Sequence, residues 1–541
     1  MYRRQAAQRQ FENFYLPFGG RLRSDNRWVR LAKLIPWTEF ESLYAASLAN
    51  SGMGCPAKSV RIALGSLIIK EHLGTSDEET VAQIQENPYL QYVLGFHEYR
   101  DEPPFDPSMF VHFRKRLGAD IVMAVNERIA QLAVSQSSSP EQSSSATEPS
   151  SSPDGESPAD SETPPAVLSE VPDPAARSPE ESDPEASESS KSTAANQGQL
   201  IVDATCAPAD IAYPTDLNLL NEAREIAEQI IDVLHGPLKG RVAKPRTYRQ
   251  KARKAYLSAA KARRLSARQR RMAIGKQLRY VHRDLLQIDR LLTDKAVSLM
   301  LLSPRQYRKL LVTQEVYRQQ QAMFAQRCHR IEGRIVSISQ PHIRPIVRGK
   351  AKAPTEFGAK VSAALIDGYV FLDQIGWENF NESTRLPEQI EQYRMRFGYY
   401  PASVHADKIY RSRENRAYCY PRGIRLSGPP LGRPPKLTDE NRAHLEAQKQ
   451  ITRQDELDRI AIEGKFGQGK RRFGLGRVMA KLAITSECAI AMTFLVMNLE
   501  KWLRCLFSCL LFVVFEAIVS IHAIVHTLSK SKFAFSNDSS I

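Results

Sequence analysis

An α/β fold is predicted: an all-α amino-terminal region, then a mixed core interrupted by a long helical insertion. Three observations predict it. Apolar residues at helical spacing fill Ser59 to Leu73, and bulky apolar residues face cations across Met109 to Leu117. Two short apolar runs, Ile201-Val202-Asp203-Ala204-Thr205 and Val404-His405-Ala406-Asp407, each read as a buried strand carrying a single carboxylate. Between the first strand and the next strand signal lies a helix-patterned stretch, roughly 218–339.

The elements follow in order. Residues 1–132 read as a compact helical domain, with Ser76-Asp77-Glu78-Glu79 as a capping box and Asn87-Pro88 as punctuation. Phe105-Asp106-Pro107-Ser108 opens another helix, on which Arg114, Lys115 and Arg116 provide the basic side. Such a domain is either a helix-turn-helix reader of DNA or an ordinary bundle with a solvated basic face. At 133–199 the composition changes to Ser, Pro, Glu, Asp and Ala with almost no large apolar residue. A disordered acidic linker is expected there, because burial cannot offset chain entropy.

The mixed core is expected over 200–502. Within its insertion, the stretch between His235 and Arg283 holds seventeen lysines and arginines and no acid, including Arg263, Arg264, Arg270 and Arg271. A whole-chain net charge of +15 and a pI near 9.4 also argue for a polyanionic partner. After the insertion, Glu356 to Ile366 and Tyr369 to Trp377 flank Asp367-Gly368 and read as a hairpin. A helix near Pro387 to Phe397, the Asp407 strand, a short strand near Ile424 to Leu426 and a Pro-rich loop then lead to a last charged helix.

That helix carries Arg459, Glu463 and Lys470 on one face, so its carboxylate is bracketed by cations at offsets of minus four and plus seven. Cations keep an acid ionised, which is the state a hard divalent ion requires. Two strand acids and one helix acid, Asp203, Asp407 and Glu463, make a site for two such ions. Charge pairing on a surface helix is the plainer alternative. Gly464, Gly467 and Gly469 each cost up to about 1 kcal/mol relative to Ala, so the helix is expected to end or bend soon after Glu463. Gly464 to Lys470 also has the spacing of a phosphate-binding loop, but Arg471 stands where Ser or Thr should meet magnesium, and no clear apolar strand precedes it. His405, beside Asp407, is either a metal reacher or a packed strand histidine.

These residues together resemble the bacterial insertion-sequence transposases with an Asp-Asp-Glu triad, and more narrowly insertion-sequence family five and its relatives. The signature Tyr, two residues, Arg, three residues, Glu, six residues, Lys is met by Arg459, Glu463 and Lys470. Glu456 stands at the tyrosine position, so the family's use of that tyrosine to hold transposon ends is not carried over. The resemblance implies a ribonuclease-H-like core and magnesium as a pair of divalent cations, with manganese as a substitute. It makes Asp203 the bridging ligand, with Asp407 and Glu463 each completing one ion's shell. Arg459, Lys470 and Lys408 would hold phosphates, and Arg411, Arg471 and Arg472 add to the DNA-facing charge. The partners implied are double-stranded DNA, as terminal inverted repeats and target, and further copies of the chain assembled on it. The location implied is the bacterial cytoplasm, with the nucleoid. A catalytically inactive DNA-binding remnant and a general ribonuclease-H-like nuclease are the other readings.

Seven scattered cysteines (55, 206, 328, 419, 488, 505 and 509) lack paired spacing and suggest neither disulfides nor zinc. In 503–541, the apolar run Leu503 to Leu528 is interrupted by Glu516, His522 and His526. It reads as a helix buried against the core rather than a membrane span, followed by a disordered end.

Overall fold

The computed structural model describes residues 14–16, 20–48, 56–138, 195–347, 355–432, 435 and 438–536. Most of the expected acidic linker lies outside the described residues. Helices come first: α1 (Arg27–Leu34), α2 (Trp37–Ala46), α3 (Val60–Leu73), α4 (Asp77–Glu86), α5 (Pro88–Val93) and α6 (Met109–Ser138), the last kinked at Gly118. Ser59 caps α3 through the Ile62 amide. Ser76 caps α4 through the Glu79 amide, but the Glu79 carboxylate accepts from Gln83. Half of the expected capping box therefore forms.

The sheet begins with β1 (Gln199–Pro208), after which the chain leaves for α7 (Asp216–His235), α8 (Arg249–Ala260), α9 (Ala267–Thr293) and α10 (Pro304–Gln326). These helices enclose a core of their own, with Leu220, Ile231, Val281, Ile288 and Val316 at its centre. The chain returns through β2 (Arg344–Val347), β3 (Thr355–Ile366) and β4 (Tyr369–Gly376), and continues as α11 (Leu386–Phe397), β5 (Ser403–Ala406), α12 (Arg413–Cys419) and β6 (Arg425–Leu426). The strands run β2-β3-β1-β5-β6, with β4 pairing β3 farther along the strand. β1 lies antiparallel to β3 and parallel to β5. Strand β2 escapes sequence reading, being four residues long with a proline inside. At Gly358 a Cβ would fall 2.0 Å from the Ala207 carbonyl oxygen, so glycine there lets β3 lie against the end of β1.

Two helices complete the chain, α13 (Asp439–Arg472) and α14 (Ala483–Ser536). α13 does not end after Glu463 as its glycines suggest. Burial of Ile462 and Phe466 contributes roughly 1.5–3 kcal/mol each, enough to offset the glycine penalties. Gly469 also has a packing use, since a Cβ there would meet Leu475 at 3.1 Å and Met497 and Thr493 at 3.5 Å.

The apolar carboxyl-terminal run also differs from expectation. Residues Ala483–Ser508 of α14 are long and apolar enough to cross a membrane, yet most of that stretch is buried inside the protein against α6, β4 and α3. The core-buried part ends near Trp502; Leu506, Phe507 and Val519 are exposed, because α14 has run past the elements that cover it. The helix continues to Ser536, beyond the expected start of disorder. Inside the core, Asn498 donates to the carbonyl of Val370 (2.7 Å) and to Asn126 (2.8 Å) and accepts from the Val370 amide (2.9 Å). α6, β4 and α14 are thus joined at one buried polar point.

Candidate active site

The parallel register of β1 and β5 sets Val202 opposite Ala406, so the next residues, Asp203 in the middle of β1 and Asp407 just past the carboxyl end of β5, come side by side. α13 packs across both strands with Ile462 and Phe466 as its buried contacts. Its position is set upstream, where Arg425 grips Asp455 through two bonds (2.7 and 2.9 Å) and Gln199 donates to Asp458 (2.8 Å). His405 is buried beneath this helix among Gln199, Ser403, Asp455 and Asp458. It is a packed strand histidine, and burial lowers its pKa. Asp203, Asp407, Glu463, Arg459 and Lys470 consequently line one cavity of about 920 Å³.

Burial pushes the Asp203 carboxyl up to about 6, Arg459 opposes this, and Asp407 and Glu463 add to it. Asp203 accepts from the Ala204 amide (2.8 Å), and Asp407 caps the following turn through the Lys408 amide (2.6 Å). Arg459 donates to Glu463 (2.7 Å) and to Glu456 (3.3 Å). Arg411 also donates to Glu456 (2.5 Å), and the two guanidiniums hold that carboxyl below its ordinary range. Among the described residues, no group of three or more His, Cys, Asp or Glu is gathered closely enough to hold an ion as it stands. The donor set nevertheless fits hard cations: of the four carboxylates on the cavity, Glu382 is paired with Lys360, and the other three include one, Asp203, whose ionised form is disfavoured by burial and like charge.

The remaining candidate residues divide. Lys408 is exposed beside Asp407, and Arg471 is exposed at the end of α13. Arg411 is largely buried on Glu456, and Arg472 binds Glu500 (2.8 Å). In the amino-terminal helices Arg114 binds Asp77 (2.6 Å) and Arg116 is half-buried against Tyr44, so only Lys115 of that trio is fully presented to solvent. On the insertion Arg263, Arg264 and Arg270 are exposed, while Arg271 stacks on Phe324 at 4.0 Å. Sequence reading misses Lys360 and Glu382, which pair with one another on the same cavity. The available signal is the lone cation of β3, Lys360, set within the run Phe357 to Ile366.

Residues 404–500 match the family described as transposase DDE domain, and residues 17–116 match the family described as transposase domain (DUF772). Both matches are to transposase domains, one at each side of the helical insertion, and the chain is similar to transposases over these two stretches. The first contains Asp407 and Glu463; Asp203 lies outside both and rests on geometry. A Rhizobium meliloti protein named "Uncharacterized protein ORF8 in nfe locus" is 33% identical over 118 residues, which is 21% of this chain. The chain spans 56% of that relative's length. No solved structure matches the chain.

Proposed function

We propose that the chain is an insertion-sequence transposase of family five or its relatives, cutting the ends of its own element and joining them to target DNA. The observation that carries this reading is the convergence of Asp203, Asp407 and Glu463, from three elements far apart in sequence, on one cavity walled by Arg459, Lys470 and Lys360. The mixed sheet, with a carboxylate helix across its parallel strands, supports a ribonuclease-H-like core. Asp203, Asp407 and Glu463 would hold two magnesium or manganese ions, which supply an activated hydroxyl and a stabilised leaving oxygen for in-line displacement. Lys470 would neutralise phosphate charge in this cavity, while Lys360 already answers Glu382 there. Arg459 now answers the charge of Glu463 and becomes available to phosphate when another cation does so. The amino-terminal helices would read the terminal repeats, copies of the chain would assemble on them, and the work would be done in the cytoplasm.

The test is magnesium-dependent nicking and joining of a duplex bearing the element's own ends, with binding measured alongside. Retardation of that duplex without nicking, in magnesium and in manganese, identifies an inactive binder. Equal cutting of duplexes lacking the ends identifies a general nuclease.

The insertion should supply much of the salt-dependent affinity. Arg263→Ala, Arg264→Ala and Arg270→Ala together are expected to flatten the slope of log affinity against log salt by about 0.9 for each phosphate that is no longer neutralised. An unchanged slope removes this surface from the DNA interface.

A further inference from the structure

A second cavity, of about 770 Å³, lies where the insertion meets the core. Four cations line it, Arg305, Arg308, Lys309 and Lys481, against two carboxylates, Asp210 and Glu222. Asp210 is already bonded by Lys481 (2.6 Å) and by Arg477, which leaves it no charge to offer the cleft. Burial pushes the Glu222 carboxyl up, and Lys309 opposes that rise. Arg305 and Arg308 are exposed on the first turns of α10, and among the described residues neither has an ion-pair partner. The positive end of a 23-residue helix stands at the same place. Unanswered guanidiniums in a concave setting suit phosphate oxygens.

The location specifies which phosphates. β1 carries Asp203 at the first cavity, and its continuation through Ala209, paired with Val478, brings Asp210 to the second. β2 makes a parallel connection: Ile346 and Val347 line the first cavity, while 336–340, just before that strand, line the second. Seven extended residues span roughly 23 Å at about 3.3 Å each, and one DNA strand places a phosphate every 3.4 Å or so along its axis.

We propose that this cleft grips the backbone of the duplex about seven base pairs from the phosphodiester held at Asp203, with Arg305 and Arg308 as the contacting groups. This rests on the function proposed above. The cleft would act as a positioning site, fixing how the duplex enters the carboxylate cavity.

The experiment uses the full chain and end-bearing duplexes in which single phosphates are replaced by neutral methylphosphonates. With the unaltered chain, replacement about six to eight positions from the nicked bond is expected to weaken binding several-fold. In Arg305→Ala/Arg308→Ala the same replacement should cost nothing further, and the salt slope should fall by about 1.8. Arg305→Lys/Arg308→Lys should restore most of the slope. A penalty that persists in the alanine variant, or a slope that does not change, overturns the assignment. The slope is read on binding alone, so a chain that binds without nicking would refute the proposed reaction while leaving the cleft supported or overturned on its own terms.

Discussion

Glu463→Gln is expected to bind end-bearing duplex within about threefold of the unaltered chain while its magnesium-dependent nicking falls by roughly a thousandfold or more, a loss of about 4 kcal/mol in transition-state stabilisation. The amide keeps the size of the side chain and can still accept from Arg459, so the local fold is retained. What it lacks is the charge a hard cation needs. Asp203→Asn and Asp407→Asn should behave alike, because the two carboxylates line the same cavity from the adjacent strands β1 and β5. Glu456→Gln should retain nicking within about tenfold. Its carboxylate is held by Arg411 and Arg459, and the cavity lining does not include it. Parallel nicking and binding titrations on these variants decide the matter; near-normal nicking by Glu463→Gln would remove it from the site and direct attention to Glu456.

The second large effect concerns Asp284→Asn, inside the helical insertion. Asp284 is fully buried on α9, and neither of its oxygens has a hydrogen-bond partner. Burial pushes its pKa up to about 7, Glu228 adds to the rise, and Arg224, Arg283 and Arg249 oppose it. The folded value lies above the unfolded one near 3.8. Its contribution to stability is therefore fully present below about pH 4 and is lost as pH rises through about 7, by at most some 4 kcal/mol. The neutral amide removes this dependence. Asp284→Asn should be more stable than the unaltered chain at pH 8 by a few kcal/mol and indistinguishable from it near pH 4. Amide hydrogen exchange in α7 and α9 across that range measures the difference. A gain of equal size at every pH, or none, would show that Asp284 does not carry it.

Much of the core and of the site is legible in the residues themselves. The β3–β4 hairpin follows from alternating strands around Asp367-Gly368, and both turn residues adopt the left-handed conformation. Local spacing alone places Arg459, Glu463 and Lys470 on one helical face. The seventeen uninterrupted cations of the insertion are a compositional fact, and Arg263, Arg264 and Arg270 are exposed as such a stretch implies.

Other features depend on partners that are remote in sequence. Whether α13 bends at its glycines is decided by the sheet under Ile462 and Phe466 and by α14 against Gly469. The basic trio Arg114, Lys115 and Arg116 looks uniform in sequence, yet Asp77 and Tyr44 occupy two of the three. Lys360 joins the cavity because β3 pairs with β1, and Arg305 and Arg308 share a cleft with Asp210 because the insertion folds back on the core. The sequence by itself determined helical faces, turns and charge density, which arise from interactions within a few residues. Only the tertiary structure decided which charges remain unanswered, since an ion pair depends on separations of a few ångströms between residues that the chain brings together only by folding.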